Sequence, residues 1–165
     1  MQRTTLRASG YISIVFGLFW IIVGTLGFIY LLSNGEDEFL QNPTLLSLCE
    51  LFISVWYYPA LRIYDFKSAP VNTDVTFWCI AILVVMVIFL IGGIKLIKYS
   101  NKDFDLKENV SHPVLFIVFN IVILVFAVFS CTIAEVVSVA MYINMAVLIV
   151  IFLLTVIECI KAGNE

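Results

Sequence analysis

Charge is scarce in this chain. Lys, Arg, Asp and Glu make up 13% of its 165 residues, against about 25% in soluble globular domains. That scarcity excludes an ordinary water-facing surface. Basic runs are missing as well, and a net charge of −3 offers no electrostatic footprint for nucleic acid. The four cysteines form no C-x-x-C pair, and with a single histidine they make no cluster at zinc spacing. No Gly-rich phosphate loop, carboxylate pair or nucleophile–base pattern is present. These absences lead us to expect no enzyme, no cofactor and no metal. The lone His112, beside Pro113, reads as an interfacial or helix-start residue.

What fills the chain instead is apolar. Hydrophobic residues are 62% of it, gathered into Tyr11–Leu32, Val75–Ile97, Val114–Ala134 and Val139–Ile160. Each stretch reaches the roughly 20 residues that cross a bilayer as a helix, and none carries a charge near its centre. The expectation is a single all-α domain over 1–165, an integral membrane four-helix bundle. The first stretch follows Arg3 and Arg7 but is too long for a signal h-region and ends without a small-x-small cleavage pattern. We read it as a retained signal-anchor.

Four spans with a cytoplasmic start place Arg3, Arg7, Lys95, Lys98, Lys102, Lys107 and Lys161 on the inner side. Only Arg62 and Lys67 fall outside. This asymmetry obeys the positive-inside rule and puts both termini in the cytoplasm. The first outer loop, Ser33–Asp74, is long and acidic, whereas the connection around Glu135–Ser138 is a tight turn. Spans three and four therefore form an antiparallel hairpin. The C-terminal tail is too short to hold a binding module.

Leu45–Tyr64 tempts a fifth span, but it contains Glu50, Pro59 and Arg62 and would move four lysines outside. Asn42-Pro43 supplies an N-cap and a first helical proline. Ser47, Glu50 and Ser54 then trace a narrow polar stripe. Thr44–Tyr58 is read as a helix on the outer leaflet or against the bundle, with a β-rich loop over Val55–Tyr58 and Leu61–Phe66 as the alternative. Trp56, Tyr57, Tyr58 and Trp78 fit an aromatic belt at that interface, while mid-span Trp20 fits core packing.

Several polar and small residues are candidates for packing roles. Gly10, Gly17 and Gly24 recur every seven residues, with Ser13 and Gly27 nearby, so one face of span one is small. That face packs inside the bundle or, alternatively, against a second copy. Gly92-Gly93 is a packing notch or a kink. The hydrocarbon depth holds no ionisable residue, which disfavours a channel or pump. Asn120, Asn144 and Thr25 are its polar groups beside Thr155, which lies at Asn120's depth and is its natural partner. Such interhelical bonds contribute roughly 0.6–2 kcal/mol. Cys49, Cys79 and Cys131 fall at the outer side, where a disulfide is permitted. Cys159, beside Lys161, is a candidate for palmitoylation, against the plainer reading of a small apolar filler. Asn109-Val110-Ser111 is a glycosylation sequon that this topology keeps in the cytoplasm.

The loop plan resembles that of claudin-like four-span proteins and differs from tetraspanins, whose second outer loop is large. The claudin W…GLW…C…C signature is absent; this loop has Trp56 and Cys49. The Arg7–Ser13 start, the glycine-spaced first span and the run Trp56–Asp65 look more like the insect four-span group that includes the Pasiflora and Fire exit proteins. That resemblance implies septate junctions, glial or epithelial barriers and a plasma-membrane location, with no catalytic residues to transfer. It makes the partners the lipid bilayer and other membrane proteins, or the chain itself, met through the spans and the first outer loop. A trafficking adaptor is the alternative. The lysosomal adaptors with four spans use P-x-Y motifs, which this chain lacks. A small-solute or ion transporter is the second alternative.

The topology has a direct test. Tags at both termini and at Lys102 should be protected in sealed microsomes, on the cytoplasmic side, and a tag at Glu36 should be luminal. External access at Lys102 would establish a different span count.

Overall fold

Four long helices carry the architecture. The computed structural model describes residues 3–32, 51, 55–56, 71–101, 111–133 and 139–164. Helix α1 is Thr4–Leu32, α2 is Val71–Tyr99, α3 is Ser111–Ile133 and α4 is Val139–Asn164. Each contains a segment long and apolar enough to cross a membrane. The Thr44–Tyr58 helix and its β-rich alternative lie outside the described residues, apart from Leu51, Val55 and Trp56. So do the turn at Glu135–Ser138 and most of the sequon.

The helices overrun their apolar stretches because polar residues at the ends still find packing. Helix α1 starts at Thr4 rather than Tyr11, since Leu6 and Ser9 are fully buried. The Arg7 N–H already donates to the Arg3 carbonyl at 3.1 Å. Helix α2 starts directly after Pro70 and is closed by Ser100, whose N–H donates to the Leu96 carbonyl at 2.9 Å. The Ser100 hydroxyl donates to the Ile97 carbonyl at 2.6 Å. With the Asn101 N–H on the Lys98 carbonyl at 3.3 Å, three of the four carbonyls a helix end leaves orphaned are satisfied locally. Pro113 sits in the first turn of α3, where its missing N–H has no intrahelical partner to lose.

Contacts at one end establish an up-down-up-down order. The Arg3 N–H donates to the Ser100 carbonyl at 2.9 Å, and its guanidinium to the Tyr99 carbonyl at 3.4 Å. The Tyr99 ring stacks on His112 at 5.9 Å, and the Thr5 hydroxyl donates to the Glu158 carboxylate. The starts of α1 and α3 therefore meet the ends of α2 and α4. Among the described residues, Arg3, Arg7, Lys95, Lys98 and Lys161 all belong to this basic end. Near the far end, the Cys131 thiol donates to Met145 Sδ at 3.3 Å, which pairs α3 with α4 as antiparallel neighbours.

The closest approach is between α1 and α2. A Cβ on Gly10 would lie 2.7 Å from the Gly93 carbonyl oxygen, and one on Gly93 would lie 2.6 Å from that of Gly10. A Cβ on Gly17 would lie 2.8 Å from the Met86 carbonyl oxygen and 3.0 Å from the Leu90 nitrogen. Backbone meets backbone here, so no side chain can swing away. Gly93 is thus the packing notch of the Gly92-Gly93 pair, and Gly92 instead faces the Phe116 ring. Gly24 is buried as well; the surroundings of Gly27 lie outside the described side chains.

Burial sorts the remaining apolar residues into an interior and a rim. Leu6, Met86, Phe89, Leu148 and Ile151 are fully buried, whereas Val15, Leu115 and Val139 are 67%, 67% and 74% exposed. In water such a rim would be an aggregation surface; against acyl chains it is the ordinary exterior. Helices α2 and α3 meet through rings rather than backbones. Phe89 packs edge-on to Phe116 at 5.7 Å and against Phe119 at 5.3 Å.

Trp56 corrects the aromatic-belt expectation. It is 2% exposed, perpendicular to Trp20 at 5.6 Å and stacked on Phe126 at 6.5 Å. A loop tryptophan thus sits between α1 and α3, because the bundle offers its ring aromatic partners that the interface does not. Truncating a buried tryptophan costs about 3–5 kcal/mol, so Trp56 is a core residue supplied by the loop.

Replacing Gly17 with Leu should lower stability by about 1–3 kcal/mol, the usual cost of overpacking, and Gly17→Ala should already be harmful. Leu at Ile22, which is 60% exposed, should be close to neutral. Thermal unfolding of the purified variants measures both; equal stability of the two Leu variants would refute the contact.

Candidate functional site: a buried polar seam

An apolar bundle makes each buried polar group conspicuous. Ser9, Ser13, Asn120, Asn144, Thr155 and Glu158 are all buried. Thr5, Ser9 and Ser13 follow at helical spacing along α1 and form one stripe. On α4, Thr155 and Glu158 are three residues apart and share a face. The two stripes meet at the basic end and form a seam between the helices.

Hydrogen bonding closes this seam. The Ser9 and Thr155 hydroxyls lie 2.7 Å apart, and both reach the Ile151 carbonyl, at 3.2 Å from Ser9 and 2.8 Å from Thr155. Two hydroxyl protons serve three contacts, so one hydroxyl donates to the other while the second donates to Ile151. Ser13 donates to the Ser9 carbonyl at 2.8 Å. Glu158, 8% exposed, accepts from Thr5. A carboxylate taken out of water needs such a donor.

Thr155 therefore corrects one expectation. Its partner is Ser9 on α1, not Asn120, because α4 turns this face toward the first helix. Among the described residues, neither side-chain atom of Asn120 has a hydrogen-bond partner. Asn120 is buried by packing and gives no interhelical bond here. Thr25 bonds its own helix, at the Ile21 carbonyl, 2.7 Å.

Glu158 was missed by sequence reasoning. It lies two residues inside the last apolar stretch and looks like an interfacial acid. The available signal was the Thr5, Ser9, Ser13 stripe opposite Thr155 and Glu158, which predicts a polar contact only once α1 and α4 are known neighbours.

At the far end, Asn144 is 5% exposed. Its Oδ1 and the Trp56 indole nitrogen both lack partners among the described residues. Both residues line a cavity of about 10 Å³ together with Val55, Phe126, Ala127, Cys131 and Met141. Cys131 is a free thiol held against Met145 rather than in a disulfide. Cys49 and the side chain of Cys79 lie outside the described residues. Cys159 is a free, partly buried thiol. No cluster of three His, Cys, Asp or Glu side chains suited to a metal occurs among the described residues.

The seam can hold helices together, but it does not cross the bundle. Beyond Ser13 the buried residues of α1 are Phe16, Gly17, Trp20, Val23 and Gly24, and the buried polar residues Asn120 and Asn144 on α3 and α4 share no hydrogen bond with the seam.

Thr155→Val should cost about 1 kcal/mol, the net value of one interior hydrogen bond. Asn120→Leu should cost less, because no bond is lost. Melting temperatures in detergent give both values; a larger loss for Asn120→Leu would show that its amide is satisfied after all.

The chain matches no family model, no curated protein and no solved structure.

Proposed function

We propose that this chain is a non-enzymatic four-span plasma-membrane protein that organises cell–cell junctions or barriers through its long first outer loop. The observation that carries this reading is the burial of Val55 and Trp56, at 4% and 2% exposure. The middle of the loop is held inside the bundle. A segment anchored at its middle loses less entropy on binding a partner than one tethered only at its ends. In this proposal the acids of the loop sequence, Glu36, Asp37, Glu38 and Asp65, recognise another membrane protein or a second copy.

The buried seam supports a structural role. Its hydroxyls are spent on each other and on carbonyls, and its carboxylate accepts from Thr5. One specific observation favours a transporter instead: Glu158 is ionisable and buried, the usual mark of an ion or proton path. The apolar side chains of Phe16, Trp20 and Val23, which separate the seam from Asn144, weigh against that path.

Tagged at native expression in a polarised epithelium, the protein should concentrate at lateral junctions. Purified protein in liposomes should pass neither ions nor small solutes. Diffuse intracellular signal together with intact barriers after knockout would sink the junction reading. A flux abolished by Glu158→Leu would establish the transporter.

A further inference from the structure

A groove of about 330 Å³ opens between α2 and α3 at the basic end. That volume lies within the usual range of small-molecule sites, about 300–1,000 Å³. Its lining is graded along the bundle. Lys95, Tyr99 and His112 stand at the mouth, and Ile88, Ile91 and Phe119 lie deeper. Ile88 and Lys95 are seven residues apart, about 10 Å along the helix. Charge at the end and hydrocarbon toward the centre is the polarity of a lipid in one leaflet.

The groove exists because α2 and α3 are held apart by rings. Phe89 against Phe116 and Phe119 sets the spacing deep in the bundle. Tyr99 lies nearly parallel to His112, with 20° between the rings, which fixes the imidazole at the mouth. Gly92 leaves the α2 wall bare where the Phe116 ring enters. Leu115, at 67% exposure, borders the side open to lipid.

The electrostatics of the mouth select a sign. Lys95 and Lys98 are one helical turn apart and exposed. Helix α3 begins at Ser111 with no acid in its first turn, so its positive dipole end lies at the mouth. The described acid at this end, Glu158, is buried on the opposite seam against Thr5.

We propose that this groove binds an anionic glycerophospholipid of the leaflet at the basic end. Lys95 and His112 hold the phosphate, and the acyl chains lie along Ile88, Ile91, Leu115 and Phe119. A basic pocket between membrane helices is a known physical solution for such headgroups. The proposal depends on the chain being membrane-embedded and is independent of any role in junctions.

Full-length protein in detergent, offered equimolar phosphatidylserine and phosphatidylcholine with identical acyl chains, tests this by native mass spectrometry. The wild type should retain phosphatidylserine in preference. Lys95→Gln should weaken that retention about fivefold, the value of one basic residue near an anionic headgroup, and adding His112→Gln should weaken it further. Lys161→Gln, at the same end but outside the groove, should leave it unchanged. Leu115→Trp, which fills the groove from the lipid side and keeps Lys95 and His112, should also lower retention. Should the double variant fail to fold by circular dichroism, Leu115→Trp carries the test alone. Equal retention of the two lipids by the wild type would overturn the proposal, as would equal losses for Lys95→Gln and Lys161→Gln. Displacement by millimolar inorganic phosphate would reassign the groove to free anions and overturn the lipid.

Discussion

The backbone contact between α1 and α2 is the constraint on which the rest of the bundle depends. In a bilayer, apolar burial does not drive helices together, because lipid tails are as apolar as leucine. Association rests on close packing and on polar groups that avoid hydrocarbon. Gly10 against Gly93, and Gly17 against the Met86 and Leu90 backbone, bring two helices to a distance that any side chain would forbid. With that pair set, the Thr5, Ser9 and Ser13 stripe of α1 is turned toward α4. The polar seam follows from the glycine contact.

Three of the helix interfaces differ in kind, and the difference has consequences. Between α1 and α2 the contact is backbone on backbone. Between α1 and α4 it is hydroxyls and one carboxylate. Between α2 and α3 it is rings, which cannot pack as closely and leave a groove. A uniform bundle would have neither a buried carboxylate nor an open groove between α2 and α3. Both arise at the basic end, where the helices exchange contacts between their starts and ends.

Trp56 links this bundle to its loop. Its ring fills space between Trp20 of α1 and Phe126 of α3 that no helix supplies. The loop is thus part of the packed interior through Leu51, Val55 and Trp56. A membrane protein that interacts through a loop benefits from such an anchor, since a partner's pull on the loop is transmitted to the helices.

The number and order of the four helices were legible in the sequence by themselves. Runs of apolar residues have no alternative in lipid but to satisfy their backbone internally as helices, and glycines at seven-residue spacing marked a close-packed face. What hydropathy could not reveal was which face points inward. Each span is apolar all round, so inside and lipid side look alike. For that reason Thr155 seemed to suit Asn120 by depth, yet the rotation of α4 gives it to Ser9. Glu158 drew no notice in the sequence, yet α1 covers it. Trp56 seemed to belong to a belt, yet Trp20 and Phe126 enclose it. Depth is a property of one helix and can be counted along the chain; partnership depends on how helices rotate against one another, and only the tertiary structure decides that.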